Sequence, residues 1–183
     1  HEGEEEIIIN SYHELLDDFP NLKLIIVPRH PERANSVMEI FKNQKINAVI
    51  KSDLNLEKEN SSAIIINATG KLDSLYDFAE IAFIGGSLFK KYGGHNLIEA
   101  AKNKCAIIVG PYMKNFEDIL NLFKNENACI QIESKSELTN AYKELLNNNE
   151  LRINMVDNAT EVVANNRGSS DKQFKFINDL INY

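Results

Sequence analysis

The sequence predicts an α/β fold: a doubly wound parallel sheet with extra helices at its C-terminal end. Short runs of Ile, Val, Leu and Ala alternate with amphipathic segments through most of the chain. That alternation calls for parallel strands joined by helical crossovers on both faces. The runs are four or five residues long and bounded by Gly, Pro or Asn, as buried strands are. At 183 residues, 43% of them hydrophobic and 26% charged, the chain holds one such core in one domain, 1–183.

The elements follow in order. A helix opens the chain. Glu2, Glu4, Glu5 and Glu6 put carboxylates in its first turn, where the helix dipole favours them. Ile8, Tyr12, Leu15, Leu16 and Phe19 recur at helical spacing until Pro20 ends it. Residues 22–27 read as a buried strand stopped by Pro28, and Pro31 suits the first turn of the next helix. A short strand at 48–50 precedes a polar loop at 52–61. Strands follow at 63–66, 81–84, 106–109 and 128–132, with helices at 72–79, 96–102 and 115–124 between them. Residues 134–183 form a helical extension. Ser134 and Glu137 make a capping box for its first helix, and two more helices lie near 150–165 and 171–181.

Composition narrows the function. A net charge of −7 argues against a nucleic-acid partner held by general electrostatics. The sequence shows no bilayer-spanning run and no signal-peptide pattern. Cys105 and Cys129 adjoin apolar runs and read as reduced core thiols, and no Cys or His spacing suggests a metal site.

In a doubly wound sheet ligands bind beyond the carboxyl ends of the strands. Four turns therefore merit attention: 28–31, 67–71, 85–95 and 110–115. Arg29 follows Pro28 at a strand end and matches phosphate or carboxylate; the alternative is a surface pair with Glu32. Thr69, Gly70 and Lys71 offer a turn at a helix start for a phosphate or a base edge; the alternative is an ordinary turn. Half of the eight glycines lie at Gly85, Gly86, Gly93 and Gly94, around Ser87, Lys90 and Lys91. The lysines read as solvated. Asn96 and Glu99 stand at the spacing of a capping box, or else both face a ligand at the helix start, the carboxylate on ribose hydroxyls. His95 is a general acid or base, or only orients the loop. The pattern is neither GxGxxG nor a P-loop.

Taken together, "HEGEE" at 1–5, "VPRHPER" at 27–33, "FIGGSL" at 83–88, "GGHNLIEAA" at 93–101 and "GPYMKNFEDI" at 110–119 resemble the C-terminal half of the Kdo transferases. These are the 3-deoxy-D-manno-octulosonic acid transferases of lipopolysaccharide synthesis in Gram-negative bacteria. The resemblance implies a GT-B glycosyltransferase whose Rossmann-like C-terminal domain binds CMP-Kdo. It implies inverting transfer of Kdo to a lipid A precursor with no metal and no cofactor, CMP-Kdo being a substrate. Pro28, Arg29, Thr69, Gly70, Lys71, Asn96, Leu97, Ile98 and Glu99 would hold the CMP. His1 and Glu2, at the interdomain cleft, together with Gly85, Gly86, Ser87 and His95, are weaker candidates. No catalytic residue is expected here, since the family's general base, acceptor site and membrane-associating segment lie in an N-terminal domain.

The full-length enzyme would work at the cytoplasmic face of the inner membrane, with this domain soluble. The chain begins after the family's first, central strand, and the 183 residues are expected not to transfer Kdo alone. Three departures stand out: Leu97 in place of a frequent proline, Lys71 in place of a common acid, and a longer link at "LFKKYGG". A GT-B donor domain for a UDP-sugar and a non-catalytic Rossmann-type nucleotide-binding domain remain the alternatives.

Overall fold

The computed structural model describes residues 1–53, 60–68, 70 and 72–166. Thr69, Lys71, part of the 52–61 loop and the helix expected near 171–181 lie outside the described residues. Among the described residues there are six strands: β1 Leu24–Ile26, β2 Ala48–Lys51, β3 Ala63–Ile66, β4 Ile81–Ile84, β5 Ala106–Val109 and β6 Ile130–Gln131. The helices are α1 Glu4–Leu15, α2 Ala34–Asn43, α3 Leu72–Tyr76, α4 Ile98–Lys102, α5 Glu117–Asn125, α6 Leu138–Asn147 and α7 Asn149–Asn166.

All pairings are parallel, as the alternation requires. The strands fall into two sheets of three, β1-β3-β2 and β4-β5-β6, where one continuous sheet was expected. Packing by α1 joins them. Ile9 and Tyr12 enter one core with Ile26, Val37, Phe41 and Ile65, while Ile7 and Ile8 pack against a second core of Leu88, Ile108 and Ile132. The Tyr12 hydroxyl reaches the carbonyls of Leu22 and Ser62 at 2.8 and 2.7 Å. Burial pushes its pKa up to about 12, so it remains a donor. Ser11 meets Thr139 of α6 at 2.9 Å.

The central strands β3 and β5 are buried along their whole length, which is why they read as unbroken apolar runs. Helix α7 is no detached arm. Its Ala159, Val162 and Val163 share a core with Ile107, Val109, Leu97 and Phe123.

Three helix ends share one device. Lys45, Lys104 and Asn127 take positive φ of 58°, 59° and 52° just after α2, α4 and α5. In each, the next residue's N–H reaches back to a carbonyl five positions earlier: Ile46 to Phe41, Cys105 to Ala100, Ala128 to Phe123. These are Schellman caps, with the incoming residue buried to lead toward a strand. Glycine ordinarily fills that position, so these caps carry no residue signature.

Candidate functional site

The turn after β4 is built from one buried carboxylate. Glu4 is fully buried and accepts the N–H groups of Gly86 at 2.7 Å and Leu88 at 2.8 Å. Hydrogen bonds to a charged acceptor are among the stronger kind. Glu5 pairs with Arg33 through both oxygens, at 2.9 and 3.4 Å. These acids were read only as complements to the helix dipole. The loop that Glu4 anchors lies some 80 positions away, so spacing carried no signal of it.

Gly86 and Ser87 have framework bonds. The Ser87 hydroxyl donates to the Ile84 carbonyl and accepts the Gly110 N–H, at 2.8 Å. The Ser87 side chain is fully buried. The second glycine pair permits close approach. Gly94 donates to the Gly86 carbonyl at 2.7 Å, and Gly93 accepts the Asn115 N–H at 2.9 Å. A Cβ on Gly93 would meet the Asn115 side chain at 2.7 Å, and one on Gly94 would run into the Met113 sulfur. The turn after β5 is thereby locked to the turn after β4.

Asn96 and Glu99 follow. The Asn96 Oδ1 accepts the Ile98 N–H at 3.0 Å, so it caps the helix, but its Nδ2 is buried with no hydrogen-bond partner. An orphaned buried donor costs about 1–3 kcal/mol, and a ligand acceptor relieves it. Glu99 does not complete a capping box: among the described residues its carboxylate accepts no hydrogen bond. It is half-buried, and its charge adds to the burial that raises the pKa of Tyr76. The two readings of Asn96 and Glu99 therefore separate, one residue capping and the other free.

Helix α4 starts at Ile98, two residues later than expected, and has five residues. Leu97 and Ile98 bury their side chains in the core and leave only backbone, of which the Ile98 N–H is already taken. Asn103 of the α4 cap bonds Asp73 of α3 at 2.8 Å, so the helix that follows Gly70 sits beside α4. Gly70 is exposed, with φ of 70° and nothing within 4 Å of a built Cβ.

Pro28 is buried and Arg29 exposed at the end of β1. Arg29 forms no pair with Glu32, which instead lies 3.7 Å from His30. The Arg29 charge reaches His95: burial lowers the His95 pKa most, and Arg29 lowers it further. His95 Nε2 lies 2.6 Å from His1 Nε2, and the His1 ring stacks on Tyr92 at 4.0 Å. Glu2 is exposed, as are Lys90 and Lys91. Tyr92, Met113 and Asn115, which shape this edge, were not singled out by the sequence. Among the described residues no cluster of His, Cys, Asp and Glu could hold a metal ion, and both cysteines are free.

The chain is 38% identical over 170 residues to the 3-deoxy-D-manno-octulosonic acid transferase of Haemophilus influenzae, covering 92% of this chain and 40% of that protein. The chain is a homologue of the Kdo transferases. The Rickettsia prowazekii Kdo transferase is 37% identical over 169 residues, with 91% of this chain and 36% of that protein covered. The chain thus spans about two fifths of the length of these relatives. No family model matches.

Among solved structures, the C-terminal CMP-Kdo binding domain of WaaA from Acinetobacter baumannii superposes with a TM-score of 0.81. It is 28% identical, with 89% of this chain and 84% of that one covered. The C-terminal domain of the glycosyl transferase group 1 family protein LpcC from Francisella tularensis gives 0.61 at 16% identity, with 90% and 80% covered, and speaks to the fold alone. The α/β arrangement of this Kdo transferase homologue is that of a GT-B C-terminal domain.

Proposed function

We propose that this chain is the donor-binding part of a glycosyltransferase that moves Kdo from CMP-Kdo to a lipid A precursor. Transfer inverts the anomeric centre and uses no metal or resident cofactor. The observation that carries the proposal is the pairing of Asn96, whose buried amide N–H lacks an acceptor, with Glu99, whose carboxylate is free of its own helix. One group wants an acceptor and the other a donor, and a nucleotide supplies both. Glu99 holds the ribose hydroxyls, because a carboxylate beside the leaving phosphate would oppose its growing charge. Arg29 and the Leu97 N–H meet the phosphate, and Thr69, Gly70 and Lys71 contact the CMP as the family resemblance implies. Pro28 forms the wall. The Kdo transferase relatives and the CMP-Kdo binding domain of WaaA support the choice of donor.

The acceptor and the general base belong to another part of a longer protein, and membrane contact at the cytoplasmic side of the inner membrane belongs there too. No nucleic acid is involved. Titration calorimetry tests the reading. CMP binds, UDP does not, and Glu99→Ala weakens CMP by about 1–3 kcal/mol. Tighter binding of UDP than of CMP would move the domain to a UDP-sugar enzyme. Unchanged CMP affinity in a folded Glu99→Ala protein would remove Glu99 from the ribose.

A further inference from the structure

His1 and His95 meet in a way that the framework does not require. Their Nε2 atoms are 2.6 Å apart, both rings are half-buried, and the planes lie within 16° of each other. Two ring nitrogens at that distance hold one proton between them: one donates and the other accepts. Among the described residues neither Nδ1 has a hydrogen-bond partner. The arrangement is held firmly. Tyr92 stacks on the outer face of His1, with the Lys91 ammonium 4.6 Å from the Tyr92 ring centre. Gly86 makes room for His95, since a Cβ there would lie 3.2 Å from its ring.

The charged groups that face His95 are Glu4 from the start of α1 and Arg29 from the turn after β1. Burial lowers the His95 pKa most and Arg29 lowers it further, while Glu4 opposes them. The pair therefore lies near the Arg29 cation, one residue before the orphaned amide of Asn96. That is a receptive environment for a dianion.

We infer that His1 and His95 are a proton-sharing imidazole pair that donates a hydrogen bond to the phosphate of the bound nucleotide, an inference that rests on the donor-domain reading above. His95 contacts the phosphate. His1 is a positioning residue that fixes the His95 tautomer. An arriving phosphate dianion offsets the Arg29 charge and favours a proton on the pair, so nucleotide binding takes up a proton near neutral pH.

The test is calorimetry of CMP with the 183-residue chain across about pH 6 to 8, in two buffers of different ionisation enthalpy, for the parent, His95→Gln and His1→Gln. The parent is expected to take up as much as about one proton per CMP as the pH falls toward the histidine range. His95→Gln takes up none and binds CMP about ten-fold more weakly at the acid end. His1→Gln reduces the uptake while binding better than His95→Gln. Imidazole nitrogen shifts of the parent on CMP saturation, showing His95 gaining its proton, give the same answer without a variant. CMP binding with no proton uptake, or uptake unchanged in His95→Gln, overturns the pair's role and leaves the donor site standing. A folded parent that binds no CMP at all overturns both.

Discussion

The carboxylate of Glu4 accepts the backbone N–H of Gly86 at 2.7 Å, across 82 positions of sequence. With Leu88 on its other oxygen, that one side chain fixes the loop leaving β4 against the first turn of α1. The same contact sets the floor on which His95 rests.

Replacing Glu4 with Gln keeps the shape and removes the charge. One amide oxygen still accepts, but the –NH2 now faces a backbone N–H. The expected loss is about 2–4 kcal/mol, the scale of a charged hydrogen bond plus an unsatisfied buried donor. Urea denaturation reads it. A variant within about 0.5 kcal/mol of the parent, the range of an ordinary surface change, would show that the loop does not depend on this carboxylate.

Gly94 and Gly70 make a matched comparison. Both take positive φ, of 83° and 70°. A methyl at Gly94 runs into buried Met113, whereas one at Gly70 meets nothing. Gly94→Ala is expected to lose about 2–4 kcal/mol, from backbone strain plus overpacking, and Gly70→Ala about 1 kcal/mol, from strain alone. Equal losses in thermal unfolding would refute the packing argument.

The Schellman caps at Lys45 and Lys104 carry strain that glycine would not. Lys45→Gly and Lys104→Gly are each expected to stabilise the chain by about 0.5–1 kcal/mol, since relief of left-handed strain outweighs the added freedom of the unfolded chain. A lower urea midpoint in either variant would count against the assignment.

His95 sets a pH dependence in the free chain. Its folded pKa lies below 6.5, chiefly through burial. Below 6.5 the unfolded chain binds more protons than the folded one, so stability rises with pH. The contribution of a neutral His95 is fully present above 6.5, falls as pH drops below it, and levels off once the folded pKa is passed. The stability difference between parent and His95→Gln should therefore shrink on acidification through that window. A difference that grows toward acid would mean that His95 is charged in the fold.

Much of this was legible in advance. The limits of β3, β4 and β5 match the apolar runs to the residue; β3 and β5 are buried on both faces, which leaves no other pattern, whereas burial alternates along β4. The turns at 28–31, 67–71, 85–95 and 110–115 are nominated by topology, since a parallel sheet puts its ligand at the carboxyl ends. The split into two sheets was not legible, nor was the late start of α4. Strand pairing and helix phasing are settled by neighbours far apart in sequence. The capping box expected at Ser134 changed form for a like reason: Glu137 takes the Glu133 N–H at 2.9 Å and the Ser134 hydroxyl at 3.1 Å.

The sequence by itself determined the alternation of strand and helix and gathered the glycines where two turns cross. Only the tertiary structure decided which acid does what. Glu4 is consumed by backbone N–H groups from the other end of the domain, and Glu99 is left free three residues from a cap that needed only Asn96. Residue type and spacing are the same for a buried anchor and an open ligand. What separates them is which donors the folded chain brings within about 3 Å.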